Sequence, residues 1–123
     1  MLIADYISRN YSGKVVEVGV GRRWDTAKEL AEKGFEVIVV DVIDILPEGL
    51  RYIRDDITNP DSRVYQNASL IYSIRPPVEL YPYIIEIARK VRADCIIRPL
   101  SNEFPDGGEL VNYIGERFYL WRF

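Results

Sequence analysis

The sequence predicts an α/β fold, a mainly parallel sheet with helices on both faces, and three observations predict it. Apolar runs of strand length alternate with amphipathic segments of helical length along most of the chain. Residues Lys14 to Asp41 read as one strand–helix–strand unit with a Gly-x-Gly turn after its first strand. The strand candidates are rich in Val and Ile and nearly unbroken in apolarity, as parallel strands buried on both sides are.

The elements follow in order. Leu2, Ile3, Tyr6 and Ile7 recur at helical spacing and Ser12-Gly13 ends that segment, so a short helix caps one sheet face. Lys14 to Val18 is the first strand, with Glu17 conspicuous inside it. Asp25 is an N-cap residue for a helix over Thr26 to Lys33, stopped by Gly34. Phe35 to Val40 is the second strand. The Pro- and Gly-marked stretch from Asp41 to Leu50 is too short for a full crossover helix before a third strand, Arg51 to Arg54. Thr58 and Asp61 cap a short helix ending near Asn67, and Ser69 to Ile74 is the fourth strand. Val78 to Val91 is helical, with Pro82 confined to its start; Asp94 to Arg98 is the fifth strand. After a turn-rich loop, Glu109 to Gly115 is expected to make one or two helical turns, and Arg117 to Phe123 a final aromatic strand with an exposed edge on which a second copy would pair.

A length of 123 residues fits one domain across the whole chain, without room for a separate substrate domain. The net charge of -3 gives no electrostatic footprint for nucleic acid, although Arg22, Arg23, Arg75 and Arg98 would form a local cationic patch. One cysteine, Cys95, sits in an apolar run, reads as buried filler and fits a reducing cytoplasm. No signal peptide or apolar run of membrane-spanning length appears. The absence of histidine excludes the usual zinc sites and the commonest general base, so any chemistry rests on carboxylates, tyrosines or positioning alone.

In a parallel sheet, ligands sit beyond the strand C-termini. Gly19 to Trp24, Asp41, Asp55 to Ile57, Ser73 to Pro77 and Arg98 to Ser101 all follow strand ends and converge on one rim. The glycine loop departs from the dinucleotide fingerprint, which needs glycine where Trp24 stands, and this argues against NAD or FAD. Glu17, Gly19 and Gly21 instead resemble the first motif of Rossmann-fold S-adenosylmethionine-dependent methyltransferases, a likeness spanning residues 14 to 98. The resemblance implies a three-layer Rossmann-like fold, a truncated form of the class I methyltransferase sheet. It places Glu17, Gly19 and Gly21 at the methionine part of the cofactor, Asp41 on the ribose hydroxyls, and Asp55 or Asp56 at the adenine amino group with Ile57 against the ring. That family's third glycine falls at Arg23.

Arg75-Pro76-Pro77 stands where many amino-methylating enzymes carry Asn-Pro-Pro or Asp-Pro-Pro. Arginine only donates hydrogen bonds, so Arg75 points instead to an anionic substrate. Ser73, Arg75 and Pro76 are the candidate active-site residues, with Asp56 a further base candidate. The whole pattern, including Ser-Ile-Arg-Pro-Pro-Val-Glu-Leu and Ile-Arg-Pro-Leu-Ser-Asn-Glu, resembles a small uncharacterised archaeal protein family of methyltransferase-like fold. Two readings follow. One is a minimal S-adenosylmethionine-binding domain acting as a methyltransferase on a small or anionic substrate; the other is a noncatalytic nucleotide-binding or scaffolding module working through a dimer or partner protein. Trp24 and Arg23 filling the pocket would favour the second.

Overall fold

The computed structural model describes residues 2–19, 21, 23–44, 47–100, 105 and 107–123. In chain order the elements are α1 (Leu2–Asn10), β1 (Lys14–Val18), α2 (Asp25–Glu32), β2 (Glu36–Asp41), β3 (Arg51–Arg54), α3 (Ser62–Tyr65) and β4 (Leu70–Ile74). A 3-10 turn (Val78–Leu80) then leads into α4 (Tyr81–Val91), followed by β5 (Asp94–Arg98), β6 (Glu109–Tyr113) and β7 (Glu116–Trp121). The strands form one sheet in the order β3-β2-β1-β4-β5-β7-β6. Strands β1 to β5 pair in parallel, and β7 runs antiparallel to both β5 and β6.

Period-two alternation splits the core in two. Val16, Val18, Val40 and Ile71 face α3 and α4, whose Tyr65, Ile84, Ile87 and Ala88 close that layer. Val15, Val39, Leu70 and Tyr72 face α1 and α2, which bring Ile3, Ile7, Ala27 and Leu30. Both faces of the central strands are therefore buried, and this is why their sequences are almost wholly apolar. Cys95 is fully buried in the first of these layers and burial pushes its thiol upward, as expected of filler.

The sheet order reverses between β1 and β4. Chain leaving β1 turns to one side and chain leaving β4 to the other, so a crevice opens above their C-terminal ends. Between β2 and β3 the described residues hold a turn and no helix. Tyr52 replaces what a helix would do there: its hydroxyl donates to Asp41 O at 3.0 Å and also to Ile43 O. Arg54 Nε donates to Val42 O at 3.0 Å and Asp55 N to Asp41 O at 3.0 Å. The tip of β2 is thus pinned from β3.

Three expectations need correction. Glu109 to Gly115 is not helical: β6 and β7 form a hairpin with Tyr113 opposite Glu116 and a two-residue turn, Ile114-Gly115, whose φ angles are 52° and 86°. Two successive positive φ angles define the tight hairpin turn usually built by Asn-Gly. The final strand is consequently Glu116–Trp121, and it is interior; the edge belongs to β6. Lastly, Asp25 is the first residue of α2 rather than its cap. Trp24 occupies the cap position with no side-chain cap bond, while the Asp25 carboxylate sits in the first turn, where the helix dipole favours negative charge.

Candidate functional site

The residues expected at the rim arrive there from five strand ends. β1 delivers Glu17 and then Gly19, at φ 71°, and Gly21, at φ 56°, both left-handed conformations that suit glycine. Among the described residues, a Cβ on Gly21 would meet nothing within 4 Å, and one on Gly19 would meet only Ser73 Oγ at 3.9 Å. β2 delivers Asp41, whose Oδ2 accepts from Gly21 N at 2.8 Å and whose Oδ1 accepts from Val42 N at 2.6 Å. Asp41 and the glycine loop are therefore one hydrogen-bonded unit. Each carboxylate oxygen keeps a second lone pair for a ligand hydroxyl.

Glu17 is 3 % exposed. Its register partner on β4 is Tyr72, fully buried, whose hydroxyl donates to Glu17 Oε1 at 2.8 Å. Burial raises the Glu17 carboxyl, the tyrosine bond partly offsets this, and the Asp25 charge adds to the rise, so that the carboxyl is pushed up to about 7. The next residue on β4, Ser73, is also fully buried and donates to Val18 O at 2.7 Å. Its hydroxyl proton is thereby committed beneath Gly19, which makes Ser73 a support of the loop.

Arg75 is exposed in a left-handed conformation, φ 56°, that is costly for any residue with a Cβ, and its backbone N donates to Arg98 O at 2.7 Å. Pro76 behind it is buried. The backbone bond ties the β4 tip to β5. Arg98 makes an ion pair with Glu116 at 3.3 Å, whereas Arg75 and Arg23, both exposed, have no ion pair among the described residues. Arg22, Val20 and Ser101 lie outside the described residues.

Trp24 packs against the core on the α1–α2 face, donates from Nε1 to Gly21 O at 2.9 Å and lies under the Lys28 ammonium at 5.6 Å. It braces the loop.

On the β3 side the residues expected at the adenine make contacts within the chain. Asp55 accepts from Tyr65 Oη at 2.8 Å and from Asp61 N at 3.1 Å. Asp56 accepts from Thr58 N at 2.9 Å and Thr58 Oγ1 at 2.7 Å, which hold its carboxyl below the usual range and leave it a poor base. Ile57 is 5 % exposed and packs into the α3–α4 layer. The third-strand residues thus close their own turn.

Sequence reasoning missed Tyr72 as the partner of Glu17, Tyr65 as the partner of Asp55, and Tyr52 as the brace of Asp41. The first was within reach, since adjacent central strands with same-face polar residues at equal depth are natural cross-strand partners.

The model described as "Uncharacterised protein family (UPF0146)" matches residues 1–122. The chain belongs to the UPF0146 family. It is 53% identical over 121 residues to a UPF0146 protein of Archaeoglobus fulgidus, covering 98% of this chain and 92% of that protein. To the UPF0146 protein of Methanocaldococcus jannaschii it is 43% identical over 124 residues, covering 96% and 90%. Among solved structures this UPF0146 chain resembles a SAM-dependent methyltransferase from Agrobacterium tumefaciens, with a TM-score of 0.65 at 12% identity over 98% of this chain and 61% of that one. It also resembles the antibiotic-resistance methyltransferase Kmr, with a TM-score of 0.59 at 12% identity over 94% and 88%. A third likeness is to the MycE methyltransferase in complex with Mg and SAH, with a TM-score of 0.60 at 14% identity over 98% and 43%. At such identities the likeness is one of fold: the UPF0146 chain is a mixed α/β protein with the mostly parallel seven-stranded sheet of class I SAM-dependent methyltransferases. Among the described residues no helix is long and apolar enough to cross a membrane.

Proposed function

We propose that this UPF0146 chain binds S-adenosylmethionine at the β1–β4 crevice and transfers its methyl group to a small anionic acceptor. The observation that carries the reading is the unit made by Gly21 N on Asp41 Oδ2 beside the buried Glu17. One acidic group suited to ribose hydroxyls and one suited to an ammonium flank a glycine turn. The residues fit the methionine and ribose ends of the cofactor. Glu17 offers its carboxylate to the amino group, the backbone of Gly19 and Gly21 lets the methionine portion approach, and Asp41 accepts from the ribose. At the adenine end, both Thr58 bonds fall on Asp56 Oδ1, so Oδ2 is left to accept from the adenine amino group, while Ile57, buried in the α3–α4 layer, offers the ring little surface.

When bound, the cofactor supplies an electrophilic methyl group on a sulfonium. The chain itself needs no strong base if the acceptor atom already carries a lone pair, and catalysis is then a matter of positioning. Arg75, exposed on the strained β4 tip, holds the acceptor's carboxylate or phosphate, and buried Pro76 keeps that tip rigid. Ser73 acts from below by fixing the loop through Val18.

Calorimetric titration with S-adenosylmethionine and S-adenosylhomocysteine, against NAD and ATP, tests the cofactor. Micromolar binding of the first pair, lost in Gly21→Val and Asp41→Ala while circular dichroism shows both folded, is the expected result. Retained affinity in both variants refutes the assignment. The second reading, a noncatalytic module, draws support from the closure of the loop by Trp24 and Asp41 within the chain itself. It predicts heat with ATP or NAD but not with the S-adenosyl pair if the module binds a nucleotide, and no heat with any of the four ligands if it is a scaffold.

A further inference from the structure

Glu17 and Tyr72 form a buried acid–phenol pair at the centre of the sheet, and no use of Tyr72 follows from the fold alone. The buried positions around it on that face are apolar, among them Val15, Val39, Leu70, Ile96, Ala27 and Leu30, while the partly buried Tyr6, Tyr11, Tyr52 and Tyr113 pack against their border. The groups with charge or a titratable proton that act on Glu17 are Tyr72 from β4 and Asp25 from the start of α2. The tyrosine reaches Oε1 only; among the described residues no hydrogen bond meets Oε2. A carboxylate in this setting, 3 % exposed, is left with half of its accepting capacity directed elsewhere than at Tyr72.

We infer that Tyr72 is a positioning residue that holds Glu17 Oε1, leaves Oε2 for the cofactor's ammonium, and so couples cofactor binding to the loss of a proton from Glu17. This rests on the S-adenosylmethionine reading above. The balance is simple. Protonated Glu17 gives its proton to the bulk buffer, and the resulting carboxylate accepts from Tyr72 Oη on one oxygen and from the ligand ammonium on the other. Tyr72 never ionises, since burial and the Glu17 charge push its hydroxyl well above its ordinary value. The acid is poised for such a change because burial has already brought its folded value to about 7. Ser73 makes the coupling mechanical as well: consecutive β4 residues hold Glu17 and Val18, the two residues that lead into Gly19.

The test is calorimetric titration of wild type, Tyr72→Phe and Glu17→Gln with S-adenosylhomocysteine across the acid-to-neutral range, in two buffers of different ionisation enthalpy. Unliganded wild type and Tyr72→Phe are followed in parallel by carbon NMR of the Glu17 carboxyl. Wild type is expected to bind about eightfold tighter at about pH 7.5 than at about pH 6, with net proton release near neutrality. Tyr72→Phe removes the bond that lowers the Glu17 value, so its binding midpoint and its NMR midpoint both move to higher pH, and the affinity gap to wild type narrows as pH rises. Glu17→Gln binds weakly and without pH dependence. A gap between Tyr72→Phe and wild type that stays constant with pH makes Tyr72 merely structural and overturns the inference. Tight wild-type binding with a flat pH profile also overturns it, while leaving the cofactor reading intact; this arm decides the matter even if Tyr72→Phe fails to fold. No wild-type binding at any pH removes the cofactor reading and the inference together.

Discussion

Replacing Glu17 by glutamine should stabilise the protein, and by an amount that depends on pH in a calculable way. The carboxyl sits at about 7 in the fold against an ordinary value of 4.5. A folded value raised above the unfolded one means that the native state keeps its proton where the unfolded chain has lost it, so stability falls as pH rises from about 4.5 to about 7 and is level above that. At about 1.4 kcal/mol per pH unit of displacement, ionised Glu17 costs the fold about 3 kcal/mol at pH 8 and almost nothing at pH 4. Glutamine keeps an oxygen for the Tyr72 hydroxyl and does not titrate. The stability difference, variant minus wild type, should therefore grow by about 3 kcal/mol between acid and alkaline conditions, or roughly 10 °C in melting temperature for a chain of this size. Urea denaturation at several pH values, read by circular dichroism, measures it. Parallel pH profiles for the two proteins, whatever their offset, would refute the claim that burial sets the Glu17 titration. The gain in stability should come with the loss of ligand affinity described above, a trade-off common to polar groups buried at sites.

Other outcomes follow from particular contacts. Ile114 is 73% exposed at φ 52°, where a β-branched residue is strained, so Ile114→Asn should raise stability by about 1 kcal/mol and the melting temperature accordingly. Asp55→Ala strands the Tyr65 hydroxyl and should cost about 1–3 kcal/mol in chemical denaturation, yet leave S-adenosylhomocysteine affinity within error; a large loss of affinity would restore Asp55 to the adenine site. Cys95, fully buried, should react with a thiol reagent at the rate of global unfolding in native buffer and at once in denaturant; fast native labelling would show the β5 layer to be loose.

The parallel half of the fold was legible because its information is local. Val15-Val16, Val37 to Val40 and Ile96-Ile97 declare strands buried on both faces, and Gly34 and Asp61 punctuate the helices where the structure has them. The β6–β7 hairpin was hidden because its turn uses Ile-Gly where Asn-Gly would announce it, so strain tolerated at one residue erased the usual signal. At the site, Glu17, Gly19, Gly21 and Asp41 could be named from their spacing. Their partners could not: Tyr72 lies 55 residues from Glu17, and Tyr65 is bound to a carboxylate expected to face a ligand. Spacing places residues on a rim, but which of them turn inward is decided by packing between elements distant in sequence.

Asp41 stands on the rim already oriented, with Gly21 N and Val42 N on its two oxygens and Tyr52 bracing its carbonyl. A carboxylate fixed in this way loses little rotamer freedom when a hydroxyl docks, since that entropy was surrendered during folding. It also cannot swing aside independently of the turn that it holds. A ligand docking on this rim, as proposed above, would meet the β2 tip and Gly21 already joined by a hydrogen bond, so its docking would depend less on a search by side chains.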